Sequence, residues 1–255
     1  MRFKPLFLTI PFFVILFALF IFDKPLAENT PEAEDAIGTA AAAAEEKIGL
    51  TLVIGRIGDL TGGYEPIYAE PDASSEQVGE LQYNCAVLPT QDQPEDDWIC
   101  LDLAERGQGY VKKEAADIVQ WTLDTDEPVR KELIEHAISY IGLHFVRYGT
   151  SLTEGIDCTG FVNQIYAQSG IQVADSLAGL RDQGVYVTDE AAQPGDLVYY
   201  DKANKGTGHV ALYLGQGLMI NAAGHAGFFY PEGGVRICRL LYADRDSYQM
   251  YRLLP

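Results

Sequence analysis

The sequence predicts an α+β chain, in which a small all-β barrel precedes a domain of helices and a β-hairpin. Three observations carry this reading. Between residues 51 and 119 the apolar runs are short and separated by turn residues, with no helical period between them. The runs 131–141 and the one opened by Cys158 place apolar side chains at helical spacing instead. From His209 to Asn221 the chain alternates as two strands about Gly215-Gln216-Gly217.

Taken in order, Arg2 and Lys4 precede an apolar run over 6–22, and Asp23 and Lys24 follow it. This is an export signal, and residues 1–27 are read as either a signal peptide or a retained membrane anchor. Residues 28–48 are rich in alanine and acids and form a tether. Residues 49–119 are the barrel, with strands expected at 51–54, 77–81, 86–88, 98–101 and 109–111. A linker, 120–130, leads to the second domain, 131–255. There the run 131–141 buries Leu133, Ile134, Ala137, Ile138 and Ile141, and His136 falls off that stripe as a solvated side chain. After Cys158 the stripe is Phe161, Val162, Ile165 and Tyr166, and Gly170 ends it.

Cys158 therefore opens a helix, where unpaired N–H groups and the helix dipole favour a thiolate. His209 begins the first hairpin strand, on one face with Ala211 and Tyr213. A turn near Gly215 or Gln216 sets Asn221 opposite or nearly opposite His209, with Cβ atoms roughly 5 Å apart. An amide there fixes the imidazole's tautomer, and the other ring nitrogen serves the thiol. Cysteine, histidine and polar orienter make the triad of acyl transfer through a thioester. His225, four residues past Asn221, is the rival orienter.

The chain carries 18 basic against 37 acidic residues, which argues against nucleic acid as a partner. Its four cysteines show no paired spacing with histidine, so neither zinc nor any other cofactor is expected. A hairpin turning near Pro94 would set Cys100 opposite about Leu88, on the order of 10 Å along the strand from Cys85. That is too far for a bridge, so this pair is expected to be unlinked.

The runs Asp157-Cys158-Thr159-Gly160-Phe161-Val162, Pro194-Gly195-Asp196-Leu197-Val198, His209-Val210-Ala211-Leu212-Tyr213 and Ile220-Asn221-Ala222 recur in the order of a known signature. From about residue 128 onward the chain resembles the NlpC family of bacterial cell-wall cysteine peptidases. The segment 68–75, with 78–81, Trp98 and 109–111, looks like a bacterial SH3-like domain. The resemblance implies a papain-like peptidase domain behind an SH3-like barrel. It also implies hydrolysis of peptidoglycan stem peptides at the bond between D-glutamate and the following diamino acid, outside the cytoplasm. Cys158, His209 and Asn221 take the catalytic positions, with Asp157, Thr159 and Ser176 as substrate-binding candidates. The membrane is a partner only through the N-terminal segment, if it is retained. Departures from the signature are Asn221 where histidine is usual, Thr159 for serine, and Phe145 for a tyrosine. Two other readings stay open: a wall-binding protein with weakened catalysis, and an acyltransferase or amidase using the same triad.

Overall fold

The computed structural model describes residues 47–56, 64–201, 208–224, 229–230, 233–240 and 247–254. The export segment, nearly all of the tether, and His225 lie outside these residues.

Among the described residues, the first half holds seven strands: β1 (Gly49–Gly55), β2 (Tyr64–Tyr68), β3 (Gln77–Gln82), β4 (Ala86–Val87), β5 (Trp98–Asp102), β6 (Gln108–Lys112) and β7 (Ala116–Thr122). The second half runs α1 (Pro128–Ser139), β8 (Thr150–Ser151), β9 (Gly155–Ile156), α2 (Cys158–Gln168), α3 (Leu177–Gln183), β10 (Val185–Val187), β11 (Leu197–Tyr200), β12 (His209–Gly215), β13 (Leu218–Ala223), β14 (Phe229–Tyr230), β15 (Gly234–Arg239) and β16 (Gln249–Arg252). The fold is mixed, with helices packed on strands.

In the first half, a sheet of order β4-β1-β7 and a second containing β3-β2-β6-β5 share one core of Val53, Ile67, Leu81, Val87, Leu101 and Val111. Strand β1 has two buried faces because its alternation is apolar on both sides. Val53 points into this core, whereas Leu52 and Ile54 join the core of the second half. At the end of β7, the buried Trp121 also belongs to that second core, and its indole N–H donates to the Leu214 carbonyl at 3.1 Å. β14, from the second half, adds in parallel to β3. Residues 46–255 accordingly form one compact unit.

The second half is built on a six-stranded sheet of order β10-β16-β11-β12-β13-β15. Helix α2 packs Phe161, Val162, Ile165 and Tyr166, all fully buried, against Val210, Leu212 and Ile220. Burying each such side chain contributes about 1.5–3 kcal/mol. Gly170, at φ +75°, lets the chain leave the helix. Helix α1 begins at Pro128, three residues before the expected run, because proline suits the first turn, where its missing N–H costs nothing. His136 is half-buried rather than solvated, with Nδ1 3.5 Å from the Ser169 hydroxyl.

One buried ionic cluster fixes β11. Asp196 is fully buried between Arg130 of α1, at 3.1 Å, and Arg252 of β16, at 2.8 Å. The Arg130 guanidinium also donates to the Pro194 carbonyl, and the Tyr166 hydroxyl donates to that of Gly195. The turn Pro194-Gly195-Asp196 is thus held by two helices and a strand, and it leads into β11, which pairs with β12 from Leu197↔Leu212 to Tyr200↔His209.

Cys85 and Cys100 are unlinked, as expected, although the register differs. Pro89 faces Leu101, which sets Cys100 opposite Thr90 rather than Leu88. Cys85 is instead joined to Cys238 of β15 by a disulfide across a sequence separation of 153. Cys100 and Cys158 are free.

Candidate active site

Local chemistry at the start of α2 explains the run Asp157-Cys158-Thr159-Gly160. Asp157 is the N-cap: its Oδ1 accepts from the Gly160 N–H at 2.8 Å, and its Oδ2 accepts from the Tyr148 N–H at 3.1 Å. One side chain thereby closes the helix and ties down the preceding loop. A Cβ on residue 160 would run into the Gly149 carbonyl, so only glycine lets the helix start lie this close to that loop. Cys158, next to the cap, is partly buried, and Thr159 Oγ1 lies 3.9 Å from its sulfur.

The sulfur lies near the start of β12, where the Val210 backbone N–H favours its charged form. Val210 follows His209 directly, which brings Cys158 to the backbone that carries the histidine. Burial pushes the Cys158 thiol above its ordinary value, and the Asp157 carboxylate adds to the rise. Hydrogen bonds from the Val210 and Thr159 backbone and from the Thr159 side chain act the other way. Desolvation thus works against the thiolate that the helix start favours. A base is needed to remove the proton.

His209 is almost fully buried, and its Nε2 is 3.1 Å from Asn221 Oδ1. The β12–β13 ladder pairs Leu212 with Ile220, so one step on Ala211 faces Asn221. Asn221 is diagonal to His209 on the same face of the sheet, within reach of an amide. Its orientation has a physical cause. Asn221 Nδ2 donates to the Arg236 carbonyl of β15 at 3.2 Å. A carbonyl only accepts, so the amide nitrogen must face Arg236 and the amide oxygen must face the imidazole. That oxygen in turn requires a proton on Nε2 of the neutral ring, and the unprotonated Nδ1 is left as the base. The Tyr200 ring, opposite His209 in the β11–β12 ladder, lies 5.8 Å from the imidazole, centroid to centroid.

The structure thus brings His209 and Asn221 into hydrogen-bond contact and sets Cys158 against the residue after His209. Among the substrate-binding candidates, Asp157 and Thr159 flank the thiol, and both Asp157 oxygens are engaged by the backbone. Ser176 is exposed and caps α3, its Oγ accepting from the Gly179 N–H at 3.2 Å. Sequence reasoning missed Arg236. Its signal was a charge inside the strand Val235-Arg236-Ile237-Cys238, where alternation puts it on the face of Cys238.

Residues 144–228 match the family model described as the NlpC/P60 family. Over 123 residues, 47% of the chain, the sequence is 32% identical to a gamma-D-glutamyl-L-lysine dipeptidyl-peptidase of Bacillus cereus, of which 37% is covered. Over 90 residues, 35% of the chain, it is 37% identical to a probable endopeptidase p60 of Listeria seeligeri, of which 17% is covered. The chain therefore spans well under half the length of these curated relatives. A solved NlpC/P60 family protein from Bacillus cereus is 26% identical with a TM-score of 0.44, covering 81% of this chain and 64% of that one.

Proposed function

We propose that the protein is a cysteine peptidase that hydrolyses peptidoglycan stem peptides at the D-glutamyl–diamino acid bond. The observation that carries this is the hydrogen bond from His209 to Asn221, whose amide is turned by the Arg236 carbonyl, beside a thiol at a helix start. In this reading His209 Nδ1 takes the thiol proton while the Cys158 sulfur attacks the scissile carbonyl. The developing oxyanion is met by the Cys158 backbone N–H at the start of α2. The tetrahedral intermediate collapses with the C–N bond breaking, and the imidazolium gives its proton to the leaving amine. Water, deprotonated by His209, then hydrolyses the thioester and restores the thiol. Asn221 keeps the tautomer that makes each transfer possible. The names of the relatives, a glutamyl-lysine dipeptidyl-peptidase among them, support the choice of bond.

The first half, 49–119, is read as an SH3-like module attached to the peptidase. Residence outside the cytoplasm is supported by the Cys85–Cys238 disulfide, which persists in oxidising compartments. Digestion of stem peptides carrying L-lysine or meso-diaminopimelate, followed by mass spectrometry, tests the reading. Expected products end in D-glutamate on one side and begin with the diamino acid on the other. If the wild type cleaves neither peptide yet binds wall sacculi, the protein is a wall-binding module. If the acyl half appears on an added amine, it is a transferase.

A further inference from the structure

The Arg236 carbonyl decides which way the Asn221 amide faces, and β15 is the sheet's terminal strand, with β13 on one side of it in the six-strand order. Besides its ladder to β13, this strand is tied to the first half of the chain. The Arg236 side chain, 3% exposed, extends toward the first half, and its Nη1 donates to Gln82 Oε1 at the end of β3 at 2.9 Å. Two residues on, Cys238 is bonded to Cys85. Arg239 follows, its N–H donating to the Asn84 carbonyl at 2.7 Å and its guanidinium reaching Asp117 of β7 at 2.8 Å. The segment 82–85 thus grips β15 next to the residue that orients Asn221. Of these contacts, only the Gln82–Arg236 bond acts on the residue whose carbonyl Asn221 uses.

A guanidinium is costly to bury, and Gln82 meets this one with a directional amide acceptor. A purely cohesive contact would be served as well by two apolar side chains. What an apolar pair would not supply is a directional anchor for the backbone of residue 236. We infer that Gln82 and Arg236 are positioning residues: the Gln82 amide holds Arg236, the Arg236 carbonyl turns the Asn221 amide, and that amide keeps the His209 proton on Nε2. The first half of the chain thereby contributes to the proton-transfer machinery without touching substrate. This rests on the proposed roles of His209 and Asn221.

The test is Gln82→Leu, which keeps a branched side chain, one atom shorter, and removes the acceptor, beside Gln82→Glu, which restores one. Two readouts are compared with the wild type: the His209 tautomer from long-range proton–nitrogen NMR, and kcat and KM on L-alanyl-γ-D-glutamyl-L-lysine. In Gln82→Leu the single Nε2-protonated tautomer should give way to a mixture. Its kcat should fall roughly 10-fold with KM unchanged, short of the about 100-fold of a 1 Å misplacement. Gln82→Glu should restore both. A Gln82→Leu protein that melts earlier yet keeps the wild-type tautomer and kcat overturns the inference and leaves a merely structural contact. Should leucine prevent folding, Gln82→Ala removes the same acceptor and leaves room for water. The tautomer measurement needs no turnover. A wild type that fails to cleave therefore refutes the proposed activity, while the effect of Gln82 on His209 is still read.

Discussion

At the scale of single residues, the site works through acceptor and donor rules more than through charge. Asn221 is useful because one of its two ends is already committed to a carbonyl. Asn221→Ala should lower kcat by up to about 100-fold with little change in melting temperature, and His225→Ala should lower it less; a more damaged His225 variant would reassign the orienter. The Cys158 thiol sits above its ordinary value through burial, so at any pH below that value its thiolate fraction is smaller than a free cysteine's. With His209 removed by His209→Ala, iodoacetamide should alkylate Cys158 appreciably only at more alkaline pH than it alkylates the wild type. Peptide mapping across a pH series checks this, with buried Cys100 as the slow internal reference; coincident profiles would deny His209 the role of base. The start of α2 at Cys158 was legible in sequence because its apolar stripe lies within one run of the chain, whereas the cap role of Asp157, read there as a substrate-binding candidate, was not seen. Arg236 was not, because its carbonyl matters only once β13 and β15 are paired, and no side-chain pattern announces a backbone acceptor.

At the scale of elements, α2 and the β12–β13 hairpin were readable because each carries its own period and its own turn residues. Gly215, Gln216 and Gly217, where the reading set the turn, all adopt positive φ. The register was harder, since a bulge lies between Tyr213 and Gly215 and sets the pairing one step from the simplest alignment. The Asp196 cluster lay beyond sequence reasoning, because its partners come from α1 and β16, far apart in the chain. Asp196 neutralises two guanidinium groups on α1 and β16. Asp196→Ala leaves Arg252 without its carboxylate and Arg130 with Glu127, at 2.7 Å, in its place, and should cost about 3–5 kcal/mol, a fall in melting temperature of roughly 10 °C or more for a chain of this size. Calorimetry measures it, and a shift of only a degree or two would mean that water or another group takes over the cluster.

At the scale of the whole molecule, composition separated two regions, but alternation alone did not reveal that β1 serves the cores of both. The disulfide was equally hidden, since Cys85 and Cys238 meet only after the first half has packed on β15. Opening that 153-residue loop by Cys85→Ser with Cys238→Ser should lower stability by on the order of 5 kcal/mol in the chain-entropy view. Denaturant unfolding of the double variant against the oxidised wild type gives the number, and equal midpoints would show that packing alone joins the halves. All of these devices converge on one thiol. Mixing the protein with L-alanyl-γ-D-glutamyl-L-lysine, quenching in acid within milliseconds and weighing the intact chain tests its role most directly. The account predicts a transient gain of the L-alanyl-D-glutamyl acyl mass, mapped to the peptide containing Cys158 and absent, together with all cleavage, from Cys158→Ala. Cleavage that continues undiminished in Cys158→Ala would contradict it.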